Sequence, residues 1–518
     1  MGLLKSAATI SGLTLVSRVT GLLRDIVIAA SFGAGPLTDA FWVAFRIPNL
    51  LRRLFAEGAF SQAFVPVLGQ IRQQESAERL QQLLDRVALL LAAVLALVTL
   101  AGIVAAPWVV SAMASGLRAA SRQQEFSAAV VMTQVMFPYI LCMSLVAFAS
   151  GVLNTFSRFA IPAFTPVLLN LSMVGASLLL AEHFNTPIYA LAAGVMLGGI
   201  AQLAVQWAAL ARLGVMPRWR TRLRDAWQDS TVRHIIRQMG PAILGVSVAQ
   251  ISLLINTNIA TWLAPGSVTW LSFADRLMEF PTALLGVALG TVLLPKLSAA
   301  HAANRHDDYS RLIDWGLRLV LLLGLPAALG LAMLSDGLVA TLFHYGQFDA
   351  TDVQQTRVAV AAYAVGLLGL LAVKILAPGF YGRQNLRTPV KVAVAVLFIT
   401  QALNALLVPW LAHAGLALSI GLGATVNATV LAVLLRRHGI YRPTAGWWVF
   451  MLKLLPALLA LAGVLALANQ HLNWIQLGTT PAWRALWLAA TVAGAAIAYF
   501  AFLALAGFRP RHFTRVGQ

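Results

Sequence analysis

Long apolar segments dominate this sequence and restrict its fold more than any other feature. Residues 87–106 and 454–468 are continuous runs without a charged side chain. Apolar residues make up 59% of the chain and charged residues 11%, whereas about 25% of the residues in a typical soluble domain are charged. This composition excludes a soluble enzyme, an intrinsically disordered chain and a disulfide scaffold.

The length of the apolar segments decides between the two kinds of membrane-spanning fold. A spanning helix needs about 20 mostly apolar residues, whereas a barrel strand needs about ten residues of alternating polarity. The runs in this chain are too long and too uniformly apolar for barrel strands. We therefore predict an all-α polytopic membrane protein with fourteen transmembrane helices. The predicted spans are 11–32, 38–68 (interrupted), 87–112, 130–152, 163–182, 187–211, 239–263, 268–295, 314–334, 356–380, 389–411, 413–435, 446–468 and 483–507.

The basic residues outside these spans predict the orientation of the chain, which has a net charge of +19. If both termini are cytoplasmic, the outer side of the membrane holds only Arg118, Arg122, Arg357 and Arg484. This asymmetry is the one expected when cytoplasmic loops carry the excess of Lys and Arg. We therefore predict that both termini are cytoplasmic. The bilayer then accounts for the basic charge, and no nucleic-acid partner is expected.

Two short sequence matches indicate an internal duplication. Residues 64–68 resemble residues 293–297, and residues 153–158 resemble residues 380–383. Carriers built from two parallel repeats bind their substrate between the repeats. We therefore predict two six-helix lobes around a central cavity, followed by two C-terminal helices. The predicted domains are an N-terminal lobe at 1–212, a basic cytoplasmic linker at 213–236, a C-terminal lobe at 237–437, and a segment at 438–518 with the last two helices and a basic tail.

Charged residues within the spans predict the binding chemistry. A charge at the bilayer centre costs roughly 2.5–3.5 kcal/mol on insertion scales, and it persists where it faces a partner or a water-filled cavity. The first two spans carry more arginines than acids, so positive charge is in excess. Arginine suits a phosphate-bearing anion because its planar guanidinium forms bidentate contacts. The residues are Arg18, Arg24 and Asp25 in the first span and Asp39, Arg46, Arg52, Arg53 and Glu57 in the second.

Two interpretations of these charges stay open from the residues alone. In the first, pairs such as Arg24–Asp25 and Arg276–Glu279 are structural ion pairs within the membrane. In the second, they line a cationic cavity that binds an anion. Spans 13 and 14 are nearly free of charge, which is typical either of ordinary anchors or of a groove for a lipid tail. A cationic cavity beside such a groove predicts a carrier of a lipid-linked phosphate compound.

Several motifs resemble the lipid II flippase family (MurJ, also called MviN). They are Gly21-Leu-Leu-Arg-Asp25, Asp39-Ala-Phe, Arg46-Ile-Pro-Asn-Leu-Leu-Arg-Arg53, Phe55-Ala-Glu-Gly-Ala-Phe-Ser-Gln-Ala-Phe-Val-Pro66, Ala274-Asp-Arg-Leu-Met-Glu-Phe-Pro281 and Phe380-Tyr-Gly-Arg-Gln-Asn-Leu-Arg-Thr-Pro389. The run at 46–66 is the longest of them. The resemblance extends over essentially the whole chain, including the two C-terminal helices.

The resemblance implies the fold of the multidrug/oligosaccharidyl-lipid/polysaccharide exporter superfamily and a location in the bacterial inner membrane. It implies movement of lipid II, an undecaprenyl diphosphate that bears the peptidoglycan disaccharide-pentapeptide, from the inner to the outer leaflet. The polyprenyl tail would lie along spans 13 and 14. The implied substrate-binding residues are Arg18, Arg24, Arg52, Arg53 and Arg276. The implied gate or cavity residues are Asp25, Asp39, Asn49, Glu57, Asp275 and Glu279.

No metal site or cofactor is predicted, and the coupling ion is left open. Some members of the family are thought to bind sodium through acids in the second lobe. Here span 7 offers Asn256, Thr257 and Asn258, and span 11 offers Gln401 and Asn404, without an acid on either. Sodium coupling is therefore a candidate that no acid supports. Other cell-wall synthesis or division proteins are candidate partners.

Two alternative functions compete with this interpretation. One is transport of another lipid-linked oligosaccharide by a member of the same superfamily. The other is a membrane glycosyltransferase, which would need an acidic or histidine cluster in an interfacial loop. The histidines are scattered over loops and helix ends, and no H-E-x-x-H motif occurs. The chain also lacks the G-x-x-x-x-G-K-[ST] phosphate loop, so we predict a transporter that does not use ATP.

Overall fold

The computed structural model describes residues 3–52 and 60–509, which are almost entirely helical and contain no strand. The helices are α1 (Leu3–Phe32), α2 (Pro36–Arg52), α3 (Phe60–Gln74), α4 (Ala77–Met113), α5 (Gln123–Met136), α6 (Tyr139–Thr155), α7 (Ala160–Leu179), α8 (Tyr189–Arg212), α9 (Leu223–Gln228), α10 (Ser230–Thr261), α11 (Ser267–Ala302), α12 (His306–Met333), α13 (Ser335–Phe343), α14 (Ala350–Leu376), α15 (Pro378–Tyr381), α16 (Arg387–Arg437), α17 (Trp447–His471) and α18 (Pro481–Leu505). Each predicted span falls on one or two of these helices.

Nine helical segments of the described chain are long and apolar enough to cross a membrane. One of them, α16, is 51 residues long and contains a break at Ala412, so it supplies both predicted spans 389–411 and 413–435. The other predicted spans correspond to α1, to α2 with α3, to α10 and to α11. The fold confirms an all-α polytopic membrane protein, and it is consistent with fourteen spans.

The break in α16 is a sharp backbone turn. Ala412 has φ 46° and ψ −128°, which lie outside the helical region. The turn brings the backbone close together, since a Cβ atom on Gly415 would lie 2.7 Å from the carbonyl oxygen of Leu407. Glycine at 415 is therefore required by the close approach, whereas Ala412 holds a backbone conformation that residues with a side chain rarely adopt.

Contacts divide the chain into two compact units, Met1–Val268 and Thr269–Gln518. In the first unit α1 packs on α7, α7 on α8, and α2 on α5. The rings of Phe60, Phe64 and Phe148 stack between α3 and α6, with successive centroids 4.9 and 5.3 Å apart. Helix α10 also packs on α3 and α4 in this unit. The lobes predicted at 1–212 and 237–437 stay a prediction.

Two buried aspartates attach the predicted linker to α4. Asp85 accepts a hydrogen bond from the backbone amide of Arg218 at 2.8 Å. Asp229, which precedes α10, forms ion pairs with Arg79 at 3.0 Å and with Arg86. Burial opposes ionisation of Asp229, but these guanidiniums and two backbone amides outweigh it and hold its pKa well below the usual range. The carboxylate therefore stays ionised and keeps the linker on the helix.

A third buried aspartate attaches the C-terminal helices to α12 in the second unit. Asp314 accepts hydrogen bonds from Arg318 Nε at 2.9 Å, from the Tyr441 hydroxyl at 2.9 Å and from Trp447 Nε1 at 2.8 Å. Trp447 is the first residue of α17. On α18, the Tyr499 hydroxyl donates to a backbone carbonyl of α12 at 2.5 Å. Both C-terminal helices are therefore linked to α12 by buried polar contacts.

We predict that Ala412→Gly stabilises the protein, because glycine adopts a positive φ without steric cost. Relief of this strain is worth about 1 kcal/mol. The matched control is Ala402→Gly at an exposed position within the first half of α16, where glycine costs about 1 kcal/mol. The apparent melting temperature in detergent should rise for Ala412→Gly and fall for Ala402→Gly. A fall for both variants would contradict the assigned backbone conformation.

Candidate functional site

Helix α1 places an arginine and its neighbouring aspartate in a buried network. Arg24 donates from Nε at 2.9 Å and from Nη2 at 2.6 Å to one carboxylate oxygen of Asp25. The two side chains are only 6% and 1% exposed. A buried charge requires such a partner because desolvation is costly. In this structure the guanidinium is therefore enclosed and neutralised by its own neighbour.

An asparagine on α7, which the sequence analysis did not single out, completes the network. Asn170 is 6% exposed, and its side-chain oxygen accepts a hydrogen bond from Arg24 Nη1 at 3.2 Å. Its amide nitrogen donates to the backbone carbonyl of Ser17 at 3.1 Å and to the Thr20 hydroxyl at 3.2 Å. The sequence signal was an amide side chain within an apolar span, since polar groups there tend to bond across helices.

Arg18 differs from Arg24, although both lie on α1. Its side chain is exposed, and it forms no ion pair with a residue of the ranges 3–52 and 60–509. The exposed face of α1 continues through Leu15 and Val19. Arg18 is therefore accessible from outside the first unit, whereas Arg24 is not accessible in this conformation.

Helix α2 lies inside the first unit rather than against lipid, because residues 40–45 are buried on every side of the helix. Its Asp39 is buried and accepts a hydrogen bond from the backbone amide of Gly266 at 2.7 Å. Arg46 is half-buried and donates to the Thr257 hydroxyl of α10 at 2.6 Å. These two contacts join α2 to the C-terminal part of α10 and to the loop that follows α10. Helix α2 is thus fixed by polar contacts as well as by packing.

The remaining predicted residues of span 2 are described only in part. Asn49 lies on α2 and is half-buried. Arg52 is the last residue of α2, and its side chain lies outside the described part of the structure. Arg53 and Glu57 also lie outside the described residues. Their assignment to a substrate cavity stays a prediction.

The second unit contributes a different kind of ion pair. Arg276 on α11 donates to Glu279 at 2.8 Å, and the two side chains are 37% and 49% exposed. Asp275 is also exposed. Both ion pairs left open by the sequence are thus formed, one buried and one exposed. That Arg276 meets Arg18, Arg24 and Arg52 at one cavity stays a prediction.

The structure leaves the coupling ion open. Within the described residues, no group of three or more His, Cys, Asp or Glu side chains could hold a metal ion. Of the amides and hydroxyls named above, Thr257 donates to the backbone carbonyl of Leu253 at 2.7 Å, and Asn404 donates to Gln401 at 3.0 Å. Sodium coupling stays an untested candidate.

Comparison with known proteins gives consistent matches over the whole chain. The sequence profile of a family described as "Lipid II flippase MurJ" matches residues 28–481. A "Lipid II flippase MurJ" of Burkholderia cenocepacia is 48% identical over 515 residues, which cover 99% of each chain. A "Probable lipid II flippase MurJ" of Haemophilus influenzae is 38% identical and covers 96% of this chain and 99% of its own.

Solved structures match the fold. One described as "Lipid II flippase MurJ, inward closed conformation" has a TM-score of 0.81 at 21% identity and covers 98% of this chain and 99% of its own. An inward-facing multidrug resistance MATE family transporter of the MOP superfamily has a TM-score of 0.68 at 14% identity, with 83% and 98% covered. At these identities the likeness supports the fold alone.

The two ion pairs should differ in their contribution to stability. Asp25→Ala removes the carboxylate that accepts two bonds from a buried guanidinium, which costs about 3–5 kcal/mol for buried pairs. Glu279→Ala breaks an exposed pair, which costs about 0–1 kcal/mol. The apparent melting temperature in detergent should therefore fall clearly for Asp25→Ala and little for Glu279→Ala. Equal shifts would show that the burial of the Arg24–Asp25 pair has no energetic consequence.

Proposed function

Since this chain belongs to the MurJ family of lipid II flippases, we propose that it carries lipid II across the bacterial inner membrane, from the inner to the outer leaflet. The substrate is an anion on a long polyprenyl tail. The observation that carries the proposal is the pair of arginines on α1, one exposed and one held in a buried network. Guanidinium groups within a membrane protein are suited to a diphosphate, which accepts planar bidentate hydrogen bonds.

The accessibility of the two arginines supports an order of events. The diphosphate first meets Arg18, whose side chain is exposed. Arg24 is paired with Asp25, so the diphosphate reaches it by competing with that carboxylate. Arg52, Arg53 and Arg276 complete the proposed binding set, and the acids Asp25, Asp39, Glu57, Asp275 and Glu279 with Asn49 act as gate or cavity residues. Binding then replaces an internal ion pair by an ion pair with the substrate.

The polyprenyl tail is proposed to stay in lipid along α17 and α18. Apart from Lys453 and Arg484, these helices carry no charged residue. They pack against each other, and within the second unit α17 also packs on α12 and α18 on α13. Exposed apolar side chains continue along both, among them Leu452, Leu459 and Ile497. Such a surface accepts an acyl or prenyl chain without desolvating a polar group. The head can then cross while the tail remains in the bilayer.

Direction can come from the membrane potential. We propose cytoplasmic termini and alternating access, in which anion binding neutralises positive charge and allows the inner side to close. A potential that is negative inside favours outward movement of negative charge by about 2.3 kcal/mol per charge per 100 mV. This source of energy fits a chain whose family is one of transporters. The coupling ion and further protein partners are outside this proposal.

The proposed function is tested by replacing the arginines one at a time in purified protein in proteoliposomes. Arg24→Ala, Arg52→Ala and Arg276→Ala should each abolish lipid II flipping while the protein still inserts, because each removes a donor to the diphosphate. The matched control is Arg311→Ala, which removes an exposed guanidinium paired with Asp308.

The control variant should transport lipid II normally. Normal transport by all three cavity variants would end this mechanism. A second lipid-linked oligosaccharide without the peptidoglycan head should be offered as competitor, since equal transport of both would favour the broader flippase function of the superfamily.

A further inference from the structure

The interface between α1 and α7 contains one buried amide that contacts α1 at three points. Helix α1 packs chiefly against α7, and Asn170 reaches from α7 to Ser17, Thr20 and Arg24. A Cβ atom on Gly21 would lie 3.5 Å from the amide nitrogen, so the α1 backbone passes directly against this side chain. The amide therefore lies at the centre of the contact between the two helices.

The orientation of the Asn170 amide is determined by its partners. A guanidinium only donates hydrogen bonds, so the oxygen must face Arg24. The Ser17 carbonyl only accepts, so the nitrogen must face the α1 backbone. Reversing the amide would place donor against donor and acceptor against acceptor. Asn170 thus holds the Arg24 side chain at a fixed position relative to the backbone of its own helix.

The side chain at 170 is a neutral amide, and its lack of charge matters because it contacts a guanidinium that is already paired with a carboxylate. Asp25 already supplies one negative charge to Arg24. An acid at 170 would add a further carboxylate to the same guanidinium and make the network more negative by one charge. A neutral amide positions the Nη1 group without adding charge, which leaves the site able to attract an anion once Asp25 is displaced.

We propose that Asn170 is a positioning residue for the substrate diphosphate, which it serves by orienting Arg24 while adding no negative charge of its own to the network. The inference rests on the proposed function. It predicts that charge at 170, not only the hydrogen bonds of its side chain, controls the affinity for lipid II.

The decisive variant is Asn170→Asp, which is nearly isosteric, in the full-length protein in nanodiscs. Lipid II affinity should fall at least about tenfold, since a second carboxylate both occupies the guanidinium and repels the diphosphate. Asn170→Ala, which removes the oxygen but adds no charge, should lose less affinity. The matched control is Ser177→Ala, which removes a buried hydroxyl of α7 that donates to the backbone carbonyl of Met173 at 2.8 Å and should bind lipid II normally.

A double variant that exchanges the acid and the amide distinguishes a positioning role of Asn170 from a purely structural role in linking α1 to α7. In the double variant Asp25→Asn with Asn170→Asp, one carboxylate again faces Arg24. Affinity should recover to within a few fold of the unmodified protein, although the double variant has lost two native side chains. A purely structural role predicts no recovery, because the bond from the amide to Ser17 is missing in both variants.

The measured affinities decide the proposal. Affinity of Asn170→Asp within twofold of the unmodified protein, or failure of the charge exchange to restore binding, overturns it. If Asn170→Asp does not insert, the double variant and Asn170→Ala decide by the same criteria. Arg24→Ala is measured in the same assay. If Arg24→Ala binds lipid II normally, the proposed function fails at Arg24. If Arg24→Ala loses binding while Asn170→Asp binds normally, only the role of Asn170 is overturned.

Discussion

The cost of placing charge and polar groups inside a bilayer governs this structure. Water is not available there to solvate a guanidinium or a carboxylate, so each must find its partners within the protein. The chain meets this requirement in the same way in both of its units. Arg24 and Asp25 are enclosed with an amide in the first, and the buried Asp314 is paired with the half-buried Arg318 and bonded to a hydroxyl and an indole in the second. Each network also links helices that are distant in sequence.

The two networks have different roles because their hydrogen-bond partners come from different elements of the structure. Around Asp314 the donors come from α12, from the loop before α17 and from α17 itself, so the carboxylate joins α17 to α12 within the second unit. Around Arg24 the described partners include the acid Asp25 and the amide Asn170, and the exposed Arg18 lies on the same helix. An external anion can compete with Asp25 for this guanidinium, because the pair joins two side chains of the same helix and holds no other helix in place. This difference is why the proposed substrate contact is placed on α1.

Membership of a lipid II flippase family and the geometry of α1 support each other. The family supplies the substrate class, and the structure supplies a reason why it must be anionic. It also adds a constraint, because Arg24 is buried and paired with Asp25 here. Under the proposed function Arg24 exchanges this partner for the diphosphate. We propose transport as an exchange of ion pairs in a low-dielectric interior, in which the Asn170 amide orients Arg24 without adding charge.

The sequence by itself determined the membrane class and the boundary near 412, and it predicted spans with which the helices are consistent. Hydropathy is a property of contiguous residues and needs no tertiary contact. The sequence also identified Arg24 and Asp25, since a charge in an apolar run is conspicuous. Only the tertiary structure decided the partners. Asn170 lies 146 positions from Arg24, and Thr257 lies 211 positions from Arg46.

Burial was likewise decided by tertiary structure alone. Arg484, which the sequence predicts on the outer side of the membrane, is fully buried within the protein and donates to the His344 carbonyl at 3.2 Å. The physical reason is that hydropathy depends on local composition, whereas the partner and the exposure of a polar side chain depend on which helices pack together.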